Sequence, residues 1–489
     1  MMDIGTRRAC LSVPHVIVIV ANHGPASQSN ALRTPSATLS SRLSALLHSH
    51  PQLLLTPMPA TPRTTVRHHG MILSDYEFTV PLDHAKLDGR TITVFARAVV
   101  NRNRTAPDRP WLVYLQGGPG FPGPRPLTNQ GWLTKALEDY HVLLLDSRGN
   151  GRSSVILPQT LATLGSPAAQ AEYLKHFRAD NIVRDCELIR RQLLGDNTRW
   201  SILGQSYGGF CSVTYLSFFP DSLNEAFITG GLPPLTDHPD VYYRHTYPEV
   251  ARKQRKFFAR YPHQQEQCTR ILEHLHRNEV MLPTGGRLTP RRFQQVGFGL
   301  GMDDGMEVLH YLLDGAFCRG VTGEELSLPF LRAFENSQNF ETNPIFALLH
   351  EMCYTQGFAS RWSAERVRGE FPATDWAPGR APSFTGEMIY PWMFEELPHL
   401  RPLRAAAELL ANDESWPTLY DPVQLAKNTV PCAAAIYAED MYVPRALSEQ
   451  TAAKIAGLKP WLTNEYEHSG LRFGDQVFGR LVKLVRDEA

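Results

Sequence analysis

Between residues 71 and 234 the apolar positions fall into short runs rather than long stripes. Residues 76–80 and 91–100 alternate or run apolar with β-branched side chains, so both segments predict strands. Trp111-Leu112-Val113-Tyr114-Leu115 and His141-Val142-Leu143-Leu144-Leu145 are continuous apolar runs, the pattern of strands covered on both faces. Helical spacing over 132–139 separates these two runs, and helical spacing over 168–194 leads to a third, Trp200-Ser201-Ile202-Leu203. Residues 209–216 predict a buried helix that ends before Pro220. Buried strands that alternate with helices predict a doubly wound, mostly parallel α/β sheet.

After Gly230-Gly231-Leu232-Pro233-Pro234 the rhythm turns helical, with helices expected over 243–261, 264–277, 306–317 and 405–410 and a break at Pro283-Thr284-Gly285-Gly286. The strand rhythm returns at Ala433-Ala434-Ala435-Ile436-Tyr437 and at 461–464, and a helix over 473–485 closes the chain. This layout assigns residues 66–234 and 411–489 to one α/β domain and 235–410 to an inserted helical domain. Residues 1–65 differ: Asp3 is their only acid, among Arg7, Arg8, Arg33, Arg42 and Arg63 and many Ser, Thr and Pro. They read as a disordered leader or as sequence upstream of the true start, with a transit-peptide role as the alternative.

Charge and cysteine usage narrow the function. Lys+Arg and Asp+Glu are equal at 49 each, so no global field attracts nucleic acid or an anionic membrane. The 7 cysteines are scattered with no C-x-x-C pair, which argues against a zinc site and a disulfide framework and for a reducing, cytoplasmic setting. No metal or other cofactor is expected, and the oligomeric state is not legible.

The chemistry centres on Gly204-Gln205-Ser206-Tyr207-Gly208, directly after the third buried run. A strand, a tight turn and a helix in that order lift a serine Oγ out at the C-terminal edge of a parallel sheet. A serine hydroxyl needs a base and a group that orients the base. Asp440, at the end of the 433–437 strand, is the expected acid, with Glu439 its competitor; His468, after the last strand, is the expected base. The loop Gln116-Gly117-Gly118-Pro119-Gly120 offers backbone N–H groups to an oxyanion, and the donors expected are those of Gly118 and Tyr207. Placed beyond the serine, the helical insertion has the layout of a cap over an active site. Cys211, just over one turn beyond Ser206, reads as buried packing, with inhibition by bulky thiol reagents as an expectation.

Four segments together resemble the proline iminopeptidases, serine peptidases of the α/β-hydrolase fold, over about residues 65–489. They are Gly117 to Gly120, the D-x-R-G-x-G-R-S stretch Asp146 to Ser153, the turn at Gly204 to Gly209, and Glu465 to Gly470. The likeness is closest to longer members with a large helical cap, although Gln116 stands where many members have His. It implies release of N-terminal proline from small peptides through an acyl-enzyme, with cap glutamates that hold the substrate's cationic nitrogen. Glu351 and Glu387 are the candidates for that part, and Phe121, Tyr354 and Trp392 for an aromatic proline pocket, to which Tyr207 is added. The alternatives are a tripeptidyl aminopeptidase or a carboxylesterase with the same three residues.

Overall fold

The computed structural model describes residues 60–488, Thr322 excepted. The chain builds a nine-stranded sheet from β1 (Thr64–His68), β2 (Met71–Pro81), β3 (Thr91–Asn101), β4 (Trp111–Leu115), β5 (His141–Asp146), β6 (Trp200–Gln205) and β7 (Leu223–Thr229). After a small ribbon of β8 (Phe317–Arg319) and β9 (Glu324–Leu326), β10 (Cys432–Tyr437) and β11 (Leu458–Thr463) complete it. The order is β1-β2-β3-β5-β4-β6-β7-β10-β11. The first three pairings are antiparallel and all those from β5 to β11 are parallel. This is the doubly wound, mostly parallel α/β sheet that the apolar runs predict.

Alternate residues of each buried strand feed opposite faces. Val113 and Leu115, Ile202, Ala226 and Ile228 pack under the helices Ala179–Leu194 and Tyr207–Phe218. Leu112 and Tyr114, Leu203 and Phe227 pack under Trp132–Asp139 and the closing helix Gln476–Val485. A fully buried aliphatic side chain contributes about 1.5–3 kcal/mol, whereas an exposed ion pair contributes about 0–1. The two apolar faces therefore hold the sheet, and the surface charges do little for it.

From β4 the chain crosses to β5 on one side and returns through β6 on the other. That reversal opens a crevice beyond the carboxyl ends of β4 and β6, where open α/β sheets bind ligands. Between β7 and β10 the chain is mainly helical, starting with Pro239–Arg260 and His263–Arg277 and ending with Arg404–Ala411 and the short Pro422–Leu425. The expectation for residues 1–65 lies largely outside the described residues, although residues 64 and 65 already belong to the edge strand β1. The helix expected over 168–194 is two helices, Pro167–Leu174 and Ala179–Leu194, parted by a short 3₁₀ turn. No helix among the described residues is long and apolar enough to cross a membrane.

Candidate active site

Ser206 is the first residue after β6 and caps the helix Tyr207–Phe218. Its φ of 56° and ψ of −124° are strained for a residue with a side chain. Its N–H donates to the Thr229 carbonyl at 2.9 Å, and its carbonyl accepts the Gly209 N–H at 2.7 Å. The helix can turn this tightly onto β4 only because position 208 is glycine: a Cβ there would stand 1.9 Å from the Leu115 carbonyl oxygen.

The loop after β4 lies against this turn, since a methyl at Gly117 would sit 3.0 Å from Ser206 Cβ. Asp146, fully buried at the end of β5, fixes the loop's far side. Its carboxylate accepts the N–H of Gly123 and of Arg152, each at 2.9 Å, and a two-pronged contact from Arg125. Arg148 is buried and paired with Asp185 at 2.7 Å. The Asp146 to Ser153 stretch is thus a brace for the glycine loop.

His468 and Asp440 meet beyond the carboxyl ends of β10 and β11. His468 Nδ1–H donates to Asp440 Oδ2 at 2.7 Å, while Asp440 Oδ1 accepts the N–H of Tyr442 at 2.9 Å and of Val443 at 3.0 Å. Three hydrogen bonds fix a carboxylate that is almost out of water. Burial pushes the His468 ring toward the neutral form. The Asp440 charge and hydrogen bond, helped by the Glu387 charge and opposed by Arg472, outweigh burial and hold His468 above the usual histidine range. Glu439 turns outward to Arg252 and Lys256, which hold its carboxyl down at about 2 against a smaller desolvation effect than theirs combined.

Ser206, His468 and Gly118 line one cavity of about 300 Å³. Its wall includes Phe121, Phe298, Phe346 and Tyr442, and Glu387 faces it from the helical insertion. Glu387 Oε2 accepts the Tyr242 hydroxyl at 3.2 Å and lies 3.4 Å from His350 Nε2; Oε1 has no hydrogen-bond partner among the described residues. Glu351 is elsewhere. Its two oxygens accept the N–H groups of Ser363 (3.1 Å) and Ala364 (2.9 Å) at the start of the helix Ser363–Arg368, and burial pushes its carboxyl up. It braces a helix and does not line the cavity.

Of the aromatic residues expected in the pocket, only Phe121 lines this cavity. Tyr354 stacks on Tyr242 at 4.4 Å, one layer behind Glu387. Trp392 stacks on Tyr390 at 5.7 Å with Arg291 over its ring. The Tyr207 side chain is buried against Phe210 and does not line the cavity. Phe298, Phe346, Tyr442, Met302 and Arg472 were not foreseen; Phe346 comes from the short helix Pro344–Leu349, Phe298 and Arg472 from 3₁₀ turns, and Tyr442 and Met302 from loops. Cys211 is buried and outside the cavity. Among the described residues no group of His, Cys, Asp and Glu is placed to hold a metal ion.

A strained serine after a central strand, with a histidine–aspartate pair beyond the later strands, defines an α/β hydrolase. The alpha/beta hydrolase fold family matches residues 110–312. A proline iminopeptidase of Aeromonas sobria is 53% identical over 420 residues, 86% of this chain and 97% of that protein. Proline iminopeptidase aneH of Aspergillus aculeatus is 40% identical over 422 residues, 85% of this chain and 94% of that protein. A tripeptidyl aminopeptidase of Streptomyces lividans is 27% identical over 192 residues, 32% of this chain and 35% of that protein. The chain belongs to the proline iminopeptidase family, and it is a peptidase of the hydrolase class.

Proposed function

We propose that the protein is a serine aminopeptidase that releases N-terminal proline from small peptides. The observation that carries this reading is the convergence of Ser206, the His468–Asp440 pair and Glu387 on one cavity. Ser206 Oγ attacks the carbonyl of the first residue while His468 Nε2 takes its proton. Asp440 holds the tautomer that leaves Nε2 free and stabilises the imidazolium. The N–H groups of Gly118 and Tyr207 receive the oxyanion. The tetrahedral intermediate then collapses, the leaving amine takes the proton from His468, and a prolyl ester remains on Ser206. Water, deprotonated by His468, attacks this ester, and proline departs with the Ser206 hydroxyl restored.

Glu387 supplies the selectivity for a free N-terminus. A carboxylate that keeps one oxygen free of protein donors and faces an aromatic-walled cavity suits a cationic secondary amine. Glu351 takes no part, because its carboxylate bonds the backbone at a helix start and does not line the cavity. Residues 235–410 act as the cap that brings Glu387, Phe298 and Phe346 over the serine. The free thiols among the described residues suit a cytoplasmic setting.

The test is hydrolysis of proline-, alanine- and N-acetylproline-β-naphthylamides by the wild type, Ser206→Ala and Glu387→Gln. Wild type cleaves the free proline amide, and Ser206→Ala does not. Glu387→Gln loses about 10- to 100-fold in kcat/KM on the free amine, the worth of a charged hydrogen bond, so discrimination against the acetylated compound falls. Equal cleavage of the acetylated compound by wild type would sink the amine-binding part. Cleavage of simple esters alone would leave an esterase.

A further inference from the structure

The loops that carry Asp440 and His468 are tied to the helical insertion by residues that the proposed reaction does not use. Glu439 precedes Asp440 and Glu467 precedes His468. Both carboxylates reach the same side chain on the helix Pro239–Arg260. Lys253, with no exposure to solvent, pairs with Glu467 and stands 3.6 Å from Glu439. A second tie runs through Asp303. Its Oδ1 accepts the Glu467 N–H at 3.0 Å, and its Oδ2 accepts the Ser469 hydroxyl at 2.7 Å. The His468 N–H itself donates to the Gly301 carbonyl at 3.2 Å. The histidine and both its neighbours are therefore bonded to the insertion.

The two carboxylates are not equivalent. Glu439 sits at the rim and has Arg252 and Lys256 as further partners. Among the described residues the Glu467 carboxylate pairs with Lys253 alone, and burial pushes it up while Lys253 pulls it down. A buried ammonium is strongly disfavoured unless it is paired. Here each of the two carboxylates that it faces sits next to a member of the histidine–aspartate pair. Without Lys253, Glu467 would be buried without its cation and Glu439 would face it as a like charge.

We propose that Lys253 is a positioning residue that joins Glu439 and Glu467, so that the loops bearing Asp440 and His468 keep one spacing under the helical insertion. This inference rests on the Ser206–His468–Asp440 reading given above.

The test uses the full chain as wild type, Lys253→Met, Glu467→Gln, the double variant and Ser206→Ala. The first readout is the rate constant for inactivation by diisopropyl phosphorofluoridate per titratable site, since this small serine reagent needs no amine pocket. The second is kcat and KM for proline β-naphthylamide. Lys253→Met lowers the per-site constant and kcat together by about 10- to 100-fold, the cost of a small misplacement of a catalytic group, and leaves KM nearly unchanged. Glu467→Gln shifts both in the same direction. The double variant is no worse than Lys253→Met, because the two residues act as one unit. A purely structural lysine would instead lower the number of titratable sites or the Tm at an unchanged per-site constant, and that result overturns the proposal. Fully additive losses also overturn it. Should Lys253→Met not fold, an unchanged per-site constant in folded Glu467→Gln decides against it. Retained labelling and activity in Ser206→Ala would reject the underlying triad, a separate failure that Lys253 data alone would not produce.

Discussion

Asp440→Asn removes one charge from the site at almost no change in volume. The amide oxygen can still accept the Tyr442 and Val443 N–H groups that now bond Oδ1 at 2.9 and 3.0 Å. What is lost is the anion 2.7 Å from His468 Nδ1. Charge centres in such a pair lie about 4 Å apart, and at an effective dielectric of about 20 their attraction is about 4 kcal/mol. That energy is available when the ring becomes an imidazolium in the transition state, so its loss alone costs about 10³ in rate. A second loss adds to it. The amide NH₂ in the place of Oδ2 donates to Nδ1, which moves the ring proton to Nε2, the atom that receives the Ser206 proton in the proposed mechanism. Together the two effects predict a fall of about 10³–10⁴ in kcat with little change in KM. The pH profile supplies a sign. In the proposed mechanism His468 must be neutral to act as a base, and its charged form is favoured in the wild type, so kcat/KM rises through an apparent pKa above the usual value of about 6.5. In Asp440→Asn burial is no longer outweighed, and this acid limb moves to lower pH. The assay is kcat/KM for proline β-naphthylamide across the histidine titration range. A loss of less than about tenfold, or an acid limb that moves up, would refute the reasoning.

Two further outcomes follow from residues at and near the cavity. Cys211 is buried and desolvation pushes its thiol far up, so bulky thiol reagents should label the exposed Cys318 and leave activity intact, contrary to the expectation from sequence; inactivation in step with Cys211 labelling, followed by mass spectrometry, would reverse this. Arg472 lines the cavity, is exposed, and makes no ion pair among the described residues. Arg472→Gln should raise KM about fivefold for free dipeptides, whose leaving residue carries a carboxylate, the scale of one exposed ion pair, and leave KM for the naphthylamide unchanged. Equal effects on both substrates would remove Arg472 from leaving-group recognition.

Seven of the nine strands of the sheet, and the places of Ser206, Asp440 and His468 at or after strand ends, were legible because each depends on a local pattern, whereas β1 and β7 and the strand order were not. A strand covered on both faces reads as an unbroken apolar run, and a side chain at its carboxyl end is placed by the sheet alone, as Ser206 after β6 and Asp440 after β10 are. Other features depend on what packs from far along the chain. The edge strand β1 is TTVRH, almost wholly exposed, and carries no apolar alternation. The helical spacing of 168–194 contains no Gly or Pro beyond its start, yet it breaks near Arg178. There a buried guanidinium crosses to the carbonyls of Met352, Thr355 and Pro417.

The two glutamates show the limit most sharply. Glu351 and Glu387 both lie among apolar and aromatic residues, and both must be partnered to be buried. For Glu351 the partners are the N–H groups at a helix start twelve residues on, which engage both oxygens, and the carboxylate does not reach the cavity. For Glu387 they are a tyrosine hydroxyl and a histidine on one oxygen only. The difference between a brace and a binding group is therefore a count of satisfied acceptors. That count is set by Tyr242, His350, Ser363 and Ala364, none of which stands next in sequence to the glutamate it bonds or pairs with. Only where the insertion folds back over the sheet does the incompletely satisfied carboxylate, Glu387, come to face the cavity that Ser206 and His468 also line.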